Sequence, residues 1–164
     1  MFDRNFITKL ISAWRLPLRE KIWIFFLFPC SGIVRASQYL FHFRILSRIY
    51  GHFYQNVTLS PLVSDAQKIR AWRIGRIVEL TARYTPWESK CLVQATMARF
   101  LLGLYGIPYI LHLGTRLTHT DDEPLKAHAW IKVGPWIIVG REGHQAFAIV
   151  GSWVPPAWAT RSEQ

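Results

Sequence analysis

Cys91 and His128 are the two side chains whose types and settings suit covalent chemistry. A thiol becomes an effective nucleophile when its pKa falls, and a helix N-terminus with an imidazole nearby lowers it. Cys91 opens an almost uniformly apolar run, 91–104, directly after the polar entry Trp87-Glu88-Ser89-Lys90. Lys90 adds positive charge beside the thiol, and the backbone N–H of Cys91, free in a first helical turn, is an oxyanion donor. The plainer reading of Cys91 is a small hydrophobe at a helix start. His128 is flanked by Ala127 and Ala129, small residues that admit another element at close range. Its plainer reading is a half-buried, hydrogen-bonded histidine. The other five histidines (His42, His52, His112, His119, His144) show no metal-ligand spacing, which argues against a zinc site. Cys30 follows the apolar run Ile22 to Phe28 and reads as a buried thiol. Two cysteines make no disulfide framework, so a reducing, cytoplasmic compartment fits.

The elements that must position these groups fall into two halves of one domain. Residues 1–83 read as a helical, basic layer, 84–154 as the part carrying the strands and the chemistry, and the tail from Pro155 as frayed. Phe2–Trp14, Ile22–Phe28 and Arg35–Tyr50 have helical spacing, with breaks expected near Pro17 and Pro29. Tyr50-Gly51 supplies a stop. Ser64-x-x-Gln67 is a capping-box pattern, and Ile69, Trp72, Ile77 and Leu80 form the apolar stripe of the helix that follows, ending near Tyr84 ahead of Pro86. Cys91–Leu104 is the next helix, stopped by Gly106-Ile107-Pro108. Strands are expected at Tyr109–Thr115, at Ala127–Val133 in strict alternation, at Trp136–Val139 after a Gly134-Pro135 turn, and at Gln145–Trp153. Helices followed by an antiparallel meander make the fold class α+β.

At 164 residues, 51% of them hydrophobic and eight of them Trp, the chain has ample material for a core. Its formal charge of +10 favours an acidic partner, but neither zinc-finger spacing nor an RRM-type aromatic signature points to nucleic acid. The apolar stretch from Ile22 to Val34 is interrupted by Pro29, Ser31 and Gly32 and falls short of the ~20 residues of a spanning helix. It also lies too far inside the chain for a cleaved signal. Peripheral membrane contact remains compatible with its basic and aromatic surroundings.

Taken together, Cys91-Leu92-x-x-Ala95, Leu101-Leu102-x-x-x-Gly106-Ile107-Pro108 and Ala127-His128-Ala129-Trp130-Ile131-x-Val133 resemble the transglutaminase-like leader peptidases of lasso peptide biosynthesis, in their stand-alone form. The resemblance covers about residues 84–153. It implies a papain-like core, with the Cys-led helix packed on an antiparallel sheet. Cys91 would be the nucleophile and His128 the general base and acid, acting without a cofactor. The implied partners are a precursor's leader peptide, a separate leader-recognition protein and a ring-closing cyclase, with the basic, aromatic first half as the docking surface.

The sequence departs from the family at the third group. Such folds usually place an Asp on the strand after the His, and no Asp follows Asp122 here. Glu142 is the carboxylate nearest the expected place; Asp121, Asp122 or a backbone carbonyl are alternatives. Two other functions remain compatible with the residues. One is an acyltransferase using the same dyad, and the other is a non-catalytic relative that binds a peptide or membrane.

Overall fold

The computed structural model describes residues 17–40, 45, 47, 49–55, 60–118 and 124–156. The helix expected at Phe2–Trp14, the acidic pair Asp121 and Asp122, and the tail from residue 157 lie outside them. In chain order the elements are α1 (Leu18–Leu40), β1 (His52–Tyr54), α2 (Asp65–Tyr84), α3 (Cys91–Leu104), β2 (Ile110–Leu117), β3 (Leu125–Val133), β4 (Trp136–Val139), a 3-10 turn (His144–Ala146) and β5 (Ala148–Val154).

α1 continues through Pro29, where the sequence argued for a break. Trp23 and Leu27 before the proline and Ser31 after it are all buried, so packing on both sides holds the helix together. Pro29 lies on the exposed side, where water can reach the carbonyl that its missing N–H leaves unbonded. α2 begins as expected, with Ser64 and Gln67 capping each other. Its buried stripe differs from the expected one, however: Ala71, Ile74, Val78 and Thr81 join Ile77, while Ile69 is exposed and Trp72 half-buried. Gly75 belongs to that stripe because a Cβ there would lie 2.5 Å from the Ile138 carbonyl oxygen; its absence lets α2 press onto β4.

The apolar helix α3 ends in a Schellman motif. Gly106 takes the left-handed conformation (φ +59°), its N–H bonds Gly103, and the Ile107 N–H reaches back to the Leu102 carbonyl at 2.9 Å.

The sheet order is β1-β5-β2-β3-β4, antiparallel throughout. Only β2, β3 and β4 form the expected meander. β5 crosses to the other edge of β2, and β1, which the sequence reading did not find, adds beyond it. Leu111, Ala129, Ile131, Val133 and Trp153 face the helices and join Val93, Met97, Leu101, Ile74 and Val78 in one core. His112, Trp130 and Ser152 occupy the opposite face, where His112 Nδ1 and Ser152 Oγ lie 2.8 Å apart.

Candidate functional site

The loop before α3 is tied down at several points. Thr85 Oγ1 lies 2.8 Å from Ser89 Oγ, and Gln94 Nε2 donates to the Ser89 carbonyl at 2.8 Å. Trp87 stands over Gly32 of α1, and its indole N–H donates to Ser31 Oγ at 3.1 Å. These bonds fix the point at which the chain turns into α3 with Cys91 as first residue. Lys90 occupies the cap position in extended conformation and its side chain makes no cap hydrogen bond. The opening N–H groups of α3 therefore have no side-chain cap, and the positive end of its dipole lies at the half-buried Cys91.

His128 lies where β3 outruns β4. The last pair between those strands is Ile131 with Val139, and a bulge at Ile131/Lys132 shifts the register by one residue. A straight hairpin turning at Gly134-Pro135 would set His128 opposite Arg141; the bulge offsets that pairing, and the chain leaves the ladder at Gly140. Gly140 takes φ +74° and lies so close to β3 that a Cβ would sit 2.4 Å from the Ala129 carbonyl oxygen. Its carbonyl oxygen thereby comes to 2.9 Å from His128 Nε2. A carbonyl can only accept, so Nε2 carries the proton and Nδ1 is left with the lone pair.

Two aromatic rings hold the imidazole from its sides. Trp130 is stacked at 5.8 Å between centroids and 25°, and Phe147 lies at 5.1 Å. Gly114, paired with His128 across the sheet, leaves the room that both need: a Cβ there would meet the Trp130 ring at 2.8 Å and Phe147 at 2.9 Å.

Cys91 and His128 line one cavity of about 770 Å³. Among the described residues no hydrogen bond joins them. Glu142 is on the same cavity, exposed, and makes no hydrogen bond to the imidazole; the nitrogen that an orienting carboxylate would hold is taken by Gly140. The opposite wall is a face of α2, where Trp72, Arg76, Glu79 and Arg83 recur at helical spacing. Arg141 lies over the Trp72 ring, 4.5 Å from its centroid. Burial pushes the Glu79 carboxyl up; Arg141 opposes this, Glu142 adds to it by repulsion, and Arg83 opposes it more weakly. Arg76 is anchored from below, bonding at 2.7 Å to Glu20, a buried carboxylate of α1. Trp130 and Lys132 do not line the cavity, and Cys30 is half-buried in α1, less enclosed than expected.

The superfamily profile of the transglutaminase-like proteins matches residues 38–152. The chain belongs to the transglutaminase-like superfamily. The match takes in the end of α1, both Cys91 and His128, and most of β5, and it begins well before the division drawn at residue 84. Cysteine-based catalysis is typical of this superfamily, and the α+β arrangement with a Cys-led helix ahead of the principal strands agrees with a transglutaminase-like core. No curated protein and no solved structure gives a significant match to the chain.

Sequence reasoning missed Gly140, Phe147 and the α2 wall. The wall had a signal: positions 72, 76, 79 and 83 share a helix face that carries an aromatic and three charges. Gly140 had only a glycine after a strand.

Proposed function

We propose that this chain is a cysteine peptidase that removes the leader from a lasso peptide precursor. The observation that carries the reading is one cavity holding Cys91, at the uncapped start of α3, and His128, with Nε2 engaged by a backbone carbonyl. The finer assignment, to lasso peptide maturation, is supported by the Cys91, Gly106-Ile107-Pro108 and His128 motifs. A separate recognition protein would deliver the precursor, and a cyclase would use the product.

In this reading His128 Nδ1 takes the Cys91 proton, and the sulfur attacks the carbonyl carbon at the end of the leader. The resulting oxyanion is received by the free N–H groups at the start of α3. When the C–N bond breaks, the Nδ1 proton passes to the leaving amine, which becomes the N-terminus of the core peptide. Water then adds to the thioester while His128 accepts its proton, the C–S bond breaks, and the leader leaves as a carboxylic acid with the Cys91 thiol restored.

The test is mass spectrometry of the precursor incubated with its recognition protein and either this chain or its Cys91→Ala variant. A leader fragment one water heavier than its residue sum, formed by the parent and not by the variant, is expected. Two inert proteins that both bind the precursor would replace the hydrolase with a binding protein. Transfer of the leader acyl group to an added amine in preference to water would make it an acyltransferase.

A further inference from the structure

α1 has two apolar sides, and among the described residues only one is packed into the fold. Trp23, Leu27 and Ser31 turn inward. On the other side Leu18, Ile22, Phe25, Pro29, Ile33, Ala36 and Leu40 follow one another at steps of four and three, a single straight stripe along the helix. Leu18, Phe25, Ile33 and Leu40 are each 69–76% exposed. Phe26, also exposed, stands edge-on to Phe25 with centroids 5.8 Å apart and widens the ridge. In the first turn of α1 the exposed charges are both positive, while further along Arg35 is paired with Glu88. Arg19 and Lys21, both exposed, flank its first turn on opposite sides. The helix's one carboxylate, Glu20, points inward and is bound by Arg76. Residues 1–50 contain eight Lys/Arg against two Asp/Glu, which accounts for six of the ten net positive charges. Most of α1 also precedes the superfamily match, so the ridge is an addition to the shared core.

We infer that α1 lies flat on an anionic lipid bilayer, with the ridge at the acyl boundary and the basic first turn, Arg19 foremost, at the headgroups. No helix among the described residues is long and apolar enough to cross a membrane, so the contact is interfacial. A partner helix would need a narrow seam, whereas Phe25 and Phe26, packed edge to face at adjacent positions, broaden the apolar surface to suit a fluid one. The cavity lined by Cys91 and His128 would be brought to the membrane with it, because Arg76 on its wall is bonded to Glu20 in the first turn of α1. This inference is independent of the reaction proposed above.

The test is co-sedimentation of the full chain with phosphatidylcholine vesicles, with and without phosphatidylglycerol. Binding is expected to the anionic vesicles, and to be weaker by about tenfold or more on neutral vesicles and in high salt. The double variant Phe25→Glu/Ile33→Glu should lose binding while keeping its circular dichroism, since both side chains are exposed. Phe25→Ser alone should weaken it. Failure to sediment with anionic vesicles would overturn the inference, as would binding that ignores the ridge variants. A lipid-free dimer dissolved by the same variants, without vesicle binding, would give the ridge to a second copy of the chain instead.

Discussion

If His128 and Cys91 act as proposed, substituting Gly140 by alanine should disable His128 without touching either side chain. The new Cβ would stand 2.4 Å from the Ala129 carbonyl oxygen and 2.9 Å from Trp130 Cβ, and neither neighbour is the free end of a flexible side chain. To relieve the contact the chain must withdraw by roughly 1 Å, which carries the Gly140 carbonyl from 2.9 Å to well beyond hydrogen-bond range of Nε2. The residue also has φ +74°, which costs an L-residue about 1–2 kcal/mol. A neutral hydrogen bond is worth about 0.5–1.5 kcal/mol net. A charged orienting carboxylate in a serine hydrolase is worth about 10⁴-fold in rate, mostly through the tautomer. The carbonyl should fall between these bounds, nearer the lower, so a loss of about 10- to 100-fold is expected. The assay is the rate of Cys91 alkylation by iodoacetamide at pH 7 in a Cys30→Ser background, read by intact mass, alongside precursor cleavage. Glu142→Gln is the control and should change both rates by less than about twofold, because an exposed carboxylate without a bond to the ring contributes little. Folded Gly140→Ala that matches the parent in both assays would remove the Gly140 carbonyl from any part in orienting His128. A collapse of Glu142→Gln in its place would return the orienting role to the carboxylate.

Three further outcomes concern stability. Burial, with Lys132 assisting, pushes the His112 pKa down to about 4 from 6.5. The unfolded chain binds the proton first, so stability should be full above pH 6.5 and fall toward pH 4, by up to roughly 3 kcal/mol; denaturant titrations should show this slope flattened in His112→Gln. Gly75→Ala gains about 1 kcal/mol of helix propensity but places a Cβ 2.5 Å from the Ile138 carbonyl oxygen, so the melting temperature should fall; a rise would mean that α2 and β4 separate easily. Arg76→Ala leaves the buried Glu20 carboxylate alone and should cost about 1–3 kcal/mol, with part recovered by adding Glu20→Gln in a double-mutant cycle.

The helices around the thiol were legible because local chemistry decides them. A reciprocal Ser64–Gln67 cap starts α2, and Gly106 closes α3 through a conformation that few other residues accept. The alternation of β3 likewise separated Ala129 and Ile131, which pack against the helices, from His128 and Trp130 on the other face. α1 was misread at Pro29 because the local cost of proline was counted without the burial of Trp23, Leu27 and Ser31 around it. β1 has three residues, too few for any periodicity, and owes its place to Trp153 and Val154 on β5, a hundred residues away.

The imidazole's partner was hidden for a different reason. A search for a third catalytic group looks for a side chain, and Glu142 was the nearest carboxylate on a straight hairpin. One extra residue in the β3–β4 ladder defeats that count, and the chain departs at Gly140 before Glu142 can be paired. What reaches Nε2 is a backbone oxygen, present at every position and therefore marked by no residue type. The readable trace is steric: at Gly140 a positive φ and a Cβ-sized exclusion coincide beside the strand that carries His128. A glycine that follows an edge strand just after a bulge can therefore bring a main-chain acceptor to a histidine on the neighbouring strand, and counting carboxylates alone will miss it.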